Sequence, residues 1–288
     1  MPTVSVREGQ VRVGDRFAVA FQRTLRIPED GRVYPLPPGL GRLPVAPVEE
    51  LGDAAPAVSE ADSAVFIPLY QREALWLAFE GADWKPNAVQ VAVGGVNAVS
   101  GEPWEARLSD APQNYLVCPN QPWLDGINAG DGFVRQFVAL PLGSGATVEG
   151  RLTGREEVGG IQIRVYEPKP GVFPDEPPPP AEELPVGRLR TPGLGLGAGG
   201  QIRQKIYPDP HGLDVWDPDN SAVVFVHLLN SEQYRALTGH EPPPTAIDVA
   251  AYIEQGLPWL ELYDESEGDV AAPAGLAGVE GTHASEGN

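Results

Sequence analysis

Apolar and polar residues alternate along the N-terminal segment: Val4 and Val6, Val11 and Val13, then Phe17, Val19 and Phe21, then Leu25 and Ile27. A spacing of two puts each set on one face of an extended strand. Glu8-Gly9-Gln10, Gly14-Asp15 and Pro28-Glu29-Asp30-Gly31 supply turns between them, so the pattern predicts an antiparallel meander. Strands are expected again at 64–70, 74–79, 88–93 and 96–99, the last two joined by the hairpin signal Gly94-Gly95. Further strands are expected at 115–118, 133–140, 146–152, 161–166, 201–207 and 222–229. Residues 34–47, YPLPPGLGRLPVAP, carry too much proline for a sheet interior, and 48–63 are acidic and alanine-rich. Both read as surface covering.

Helix signals gather late in the chain. Ser231 caps a short turn ending at Gly239. Thr245 with Asp248 forms a capping box, and Gly256 provides the exit, which predicts a helix over 246–255; residues 259–263 then return to a sheet edge. The close spacing of short strands is that of a sandwich or barrel, not of βαβ units. The fold class expected is mainly β: an antiparallel β-sandwich or jelly-roll-like architecture with one short helix near 246–255.

Proline divides this pattern. Residues 167–193, EPKPGVFPDEPPPPAEELPVGRLRTPG, favour extended polyproline conformation and cannot donate ladder hydrogen bonds. The organisation expected is an N-terminal β domain over 1–166, a Pro-rich linker or long loop over 167–193, a β-rich part with a helix over 194–263, and an acidic flexible tail over 264–288. With 34 Gly and 32 Pro in 288 residues, the chain is rich in turns and still long enough to bury a full core.

Charge narrows the partners. The net charge is −20, and no Lys or Arg follows Arg235, where ten carboxylates from Glu241 to Glu286 stand uncompensated. Such a field repels phosphate backbones and anionic headgroups, which argues against nucleic-acid and membrane-surface binding and leaves a basic protein as a partner for the C-terminal region. The single cysteine, Cys118, can form no intramolecular disulfide and is expected to pack as a small apolar residue. With no leader-like or membrane-spanning stretch and no Asn-x-Ser/Thr sequon, the location expected is the cytoplasm.

Motifs that carry chemistry are sparse. Gly195, Gly197 and Gly200 satisfy G-x-G-x-x-G, but Pro192 precedes them and alternating Ile202 and Ile206 follow, so no helix meets a pyrophosphate there. His211, His227, His240 and His283 have no zinc-site spacing, and His227, in an apolar run, is expected to bond to backbone. Asp209, Asp214, Asp217 and Asp219 are the densest set of oxygen donors and the candidate calcium ligands, although Asp with Pro is also turn chemistry. Trp123, Asp125, Asn128 and Asp131 offer a stacking face beside hydrogen-bonding groups, as a sugar site does. Asp125 and Asp131 would serve glycoside hydrolysis if their carboxyl groups flanked a common bond.

The strings Tyr70-Gln71-Arg72-Glu73-Ala74-Leu75-Trp76, Gln121-Pro122-Trp123-Leu124-Asp125-Gly126-Ile127, Arg135-Gln136-Phe137-Val138 and Gln204-Lys205-Ile206-Tyr207-Pro208-Asp209-Pro210 resemble those of a set of hypothetical microbial proteins. The resemblance extends to about Asp264 and implies a compact, recurring fold; it carries over no activity and no functional residue. The function expected is a non-enzymatic β-rich scaffold that self-associates, with a carbohydrate- or calcium-dependent binding module as the alternative and a glycoside hydrolase third.

Overall fold

The computed structural model describes residues 1–54, 61, 63–178, 201–244, 253 and 269–271. Two sheets face each other. The first runs in the order β1 (Val4–Arg7), β2 (Gln10–Val13), β3 (Phe17–Thr24), β8 (Ala74–Glu80), β14 (Phe133–Val138), β16 (Gln201–Arg203) and β4 (Val33–Tyr34). It also carries β5 (Gly39–Arg42) on β3, β12 (Trp123–Leu124) on β8 and β13 (Gly126–Gly130) on β14. The second runs β10 (Val96–Asn97), β9 (Asn87–Val93), β15 (Ile161–Pro168), β17 (Trp216–Leu229), β7 (Ser63–Pro68) and β6 (Ala46–Pro47), with β11 (Leu116–Cys118) on β9. The expected mainly β sandwich is what forms.

The alternation seen in the sequence sets the core. Val11 and Val13, Phe17, Val19 and Phe21, Leu75 and Leu77 come from the first sheet; Val65 and Ile67, Val89 and Val91, Ile161, Ile163 and Val165, Val224 and Val226 come from the second. All join one cluster between the sheets, each large side chain contributing about 1.5–3 kcal/mol by leaving water. The outer face of the second sheet is covered as well. A 3₁₀ segment, Val48–Ala54, and helix α2 (Ser231–Thr238) lie over Phe66 and Leu229, while Tyr115, Tyr166 and Trp216 pack as a further cluster. Buried amides tie the covering loop down: Gln90 donates to Arg107 O at 2.9 Å, Asn97 to Asn114 O at 2.8 Å, and Asn114 to Arg107 O at 2.9 Å.

The structure departs from the sequence reading at several points. Residues 146–152, expected as a strand, hold helix α1 (Val148–Thr153), because Thr147 Oγ1 accepts from Gly150 N and Gly154 closes the helix in a left-handed conformation. The Pro-rich loop supplies three short strands, β4, β5 and β6, placed at the margins where proline is tolerated. Residues 123–130, where no strand was expected, contain β12 and β13. Both sheets are mixed, since β16 pairs parallel with β4 and β17 parallel with β7.

Chain segments on either side of the Pro-rich stretch share both sheets. β16 pairs with β14, and β17 lies between β15 and β7. The start of the stretch is held by an ion pair of Arg16 with Glu167 and by Lys85 Nζ on Asp175 at 2.7 Å. Residues 179–193, the Gly-rich 195–200, the helix expected at 246–255 apart from the exposed, helical Ile253, and the return at 259–263 lie outside the described residues. Of the stretch read as a flexible tail, Asp269, Val270 and Ala271 are described, and they dock on the first sheet. Among the described residues no helix is long and apolar enough to cross a membrane.

Candidate functional site

Hairpin β13–β14 carries two of the four residues singled out for sugar binding, Asn128 and Asp131, and Trp123 and Asp125 lie just before it. Gly126 starts it, where a Cβ would stand 1.9 Å from Arg135 O, so the two backbones approach more closely than any side chain permits. Asp125 lies at the base of this hairpin, with its N–H donating to Gln204 Oε1 at 2.9 Å and its carbonyl accepting from Phe137 N at 3.1 Å. The residue is 1% exposed, and neither carboxyl oxygen has a hydrogen-bond partner among the described residues. Burial pushes this carboxyl up to about 8; the Trp123 indole pulls the other way but stands outside hydrogen-bond geometry, leaving its own Nε1 unpartnered.

Asn128 is buried and fully employed. Its Nδ2 donates to Val99 O at 3.1 Å and Val270 O at 3.2 Å, and its Oδ1 accepts from Gly130 N at 2.9 Å. Asp131 is exposed at the hairpin tip with φ of 55°. Strand rise separates it from Asp125 by roughly 15 Å or more. One carboxyl group lies in the core and the other in solvent, so they do not flank a shared bond.

The candidate calcium ligands are likewise apart. Asp209 Oδ2 accepts from Tyr115 Oη at 2.6 Å and Trp216 Nε1 at 2.8 Å, and its Oδ1 accepts from His211 N at 2.7 Å. Asp217 Oδ1 accepts from Asp219 N in a local turn, and Asp214 and Asp219 are exposed. Among the described residues no three His, Cys, Asp or Glu side chains gather as a metal-ligand group. Asp209 is instead a half-buried fastener: it brings the start of β17 against the loop before β11, and burial and this carboxylate together raise the Tyr115 hydroxyl far above its ordinary range.

Two other sequence candidates resolve simply. Cys118 is buried in the main core, its thiol pushed up by burial. His227 Nε2 has no backbone or other partner among the described residues; its ring lies against Phe225 at 4.5 Å, and burial pulls its titration down.

Two features that the motifs did not reveal have the geometry of sites. The first is a notch that holds the segment Asp269–Ala271. Asp269 accepts from Gly132 N at 2.6 Å and Ile206 N at 3.1 Å, Val270 N donates to Ile206 O at 2.9 Å, and Asn128 Nδ2 reaches the carbonyls of Val270 and Ala271. The Val270 side chain packs on the main core. The second is a cleft of about 370 Å³ where the ends of the two sheets part, walled by Leu69, Phe137, Val138 and Leu228 and closed by α1 and the start of α2. Glu149 of α1 lines it, buried, with its carboxylate accepting from the N–H groups of Glu157, Val158 and Gly159 at 2.8 Å each. The helical capping signals of Thr147 and Gly154 were the available clue to this corner. Comparison with family models, curated proteins and solved structures returns no match for this chain.

Proposed function

We propose that this chain is a non-enzymatic, β-rich scaffold that associates with copies of itself through its C-terminal anchor. The seat of Asp269–Ala271 carries the reading. It recognises main-chain groups, one carboxylate and one small apolar side chain, in the manner of strand addition at a sheet margin. Recognition of that local kind does not depend on which copy supplies the segment, so an identical segment from a neighbour satisfies the same bonds. Twenty-four positions, 245–268, separate the anchor from Pro244, a contour of up to about 80 Å at full extension. The use of Asp209, Asn128, Glu149 and Gln204 as internal fasteners adds support, since these polar groups hold loops and strands together instead of facing a common reactant. We place this assembly in a reducing compartment such as the cytoplasm, in keeping with the single buried Cys118.

Native mass spectrometry and sedimentation of the full chain across micromolar concentrations test the reading. A stoichiometric oligomer is expected, and Asp269→Ala, which removes charge-assisted hydrogen bonds, or Asn128→Ala, which removes two neutral ones, should weaken it by about tenfold. Because every copy carries −20, added salt should favour association. A monomeric mass at all concentrations and salt levels overturns the proposal. An oligomer indifferent to both substitutions overturns the role of the anchor.

A further inference from the structure

The cleft between the sheet ends has the dimensions and chemistry of a small-molecule site, whether or not the chain assembles. Its volume, about 370 Å³, lies within the range of ligand pockets and corresponds to roughly a dozen waters of liquid volume, hence a ligand of about a dozen non-hydrogen atoms. The walls are mainly apolar, and one wall is made by backbone: a Cβ at Gly94 would lie 2.6 Å from Glu149 Oε2, so the β9 turn packs directly against that carboxylate.

Charge and hydrogen bonding select among ligands. Glu149, the ionisable carboxylate of the lining, is occupied by three backbone N–H groups, and it disfavours an anion beside it. At the other side stand Asn230 and Gln233. Each spends its oxygen on the capping box of α2: Asn230 Oδ1 accepts from the N–H groups of Glu232 and Gln233, and Gln233 Oε1 accepts from Asn230 N. Both residues are exposed, and their amide nitrogens, open to solvent, have no protein partner among the described residues. The cleft therefore offers an apolar body, two amide donors and no free charge. We propose that it binds a small uncharged molecule, largely aliphatic, with a carbonyl-type acceptor directed at Asn230 and Gln233. A charged head drawn against the apolar lining would lose its hydration without a counter-charge.

Methyl octanoate, octanoate and octylamine share a chain length and differ at the head, and titration of each into ¹⁵N-labelled full-length protein tests the assignment. Methyl octanoate should shift the side-chain amide signals of Asn230 and Gln233 and bind about tenfold more tightly than the two charged probes. Ala146→Trp, which fills the cleft at an already half-buried lining position, should abolish those shifts. Should that variant fail to fold, Asn230→Asp with Gln233→Glu keeps the capping acceptors, removes both donors, and should weaken methyl octanoate by about tenfold with α2 intact. Equal affinity for the three probes, shifts confined to other residues, or binding unchanged in the variants overturns the assignment.

Discussion

Burying Asp125 with both oxygens unpaired puts a titration into the folded state that the unfolded chain does not share. An ordinary aspartate ionises near pH 4, whereas this one is pushed up to about 8. Between those values the folded chain holds a proton that the unfolded chain has released, so the contribution of Asp125 to stability is greatest below pH 4, falls as pH rises towards 8 and is flat beyond. At pH 7 the cost reaches up to about 4 kcal/mol. Asp125→Asn keeps the shape and cannot ionise. Urea midpoints measured from pH 4.5 to 9 should therefore decline for the parent and not for the variant, whose advantage grows to about pH 8; parallel curves would contradict the assignment. Gly126→Ala is a backbone counterpart nearby. Its Cβ meets Arg135 O at 1.9 Å, main-chain atoms that no rotamer change can move away, and a loss of about 3 kcal/mol or more is expected by chemical denaturation.

At the scale of elements, short helices and loops are fixed to the sheets by single side chains that satisfy several backbone groups. Glu149 is the clearest case. A six-residue helix has little stability of its own, yet its carboxylate accepts from three consecutive N–H groups at 157–159 and so fixes the approach to β15. Glu149→Gln removes the charge and one acceptor, and should cost about 3 kcal/mol while speeding amide exchange at residues 157–159. Unchanged exchange there would show that the turn holds itself. Arg23 performs the same task at another corner. It pairs with Glu73 at 3.1 Å and donates to the carbonyls of Pro243 and Pro244, which fastens the chain beyond α2 to β3.

For the whole molecule, the decisive feature is the position of β17. It enters the second sheet between β15 and β7, so the part of the chain beyond residue 200 supplies the strand that links two earlier ones. Removing it would leave β7 and β6 without their connection to β9 and β15. We therefore expect one cooperative transition, with tryptophan fluorescence and far-ultraviolet circular dichroism coinciding, and no native spectrum from a fragment of residues 1–178. Two resolved transitions would instead assign separate stabilities to the parts before and after the Pro-rich stretch. Pairings that join such distant residues also predict slow folding, because loop closure comes before the contacts that compensate for it.

Local pattern was sufficient for some of this. Period-two spacing marked β1, β2 and β3 and told which of their side chains face the core, since the face a strand residue occupies follows from its parity alone, while β7, β8, β9, β15 and the second half of β17 were legible as short apolar runs between turn residues. Gly239 marked the end of α2, whereas the cap, read at Ser231, is held by Asn230, whose side chain accepts from Glu232 N and Gln233 N. Partnership is not local. That Val224 pairs beside Ser63, that Asp209 meets Tyr115, that Asn128 receives the backbone of Val270, and that Asp125 meets no partner all depend on residues tens to hundreds of positions apart. Residues 146–152 were misread for the same reason: an apolar–polar run of that length fits a strand or a helix, and Thr147, Gly154 and the distant backbone that Glu149 satisfies decided between them. The sequence by itself determined the acidic charge, the β character and the inward faces. Tertiary structure alone decided which polar groups became fasteners, which space stayed open as a cleft, and where the C-terminal anchor sits, because hydrogen-bond satisfaction and void volume are properties of assembled neighbours.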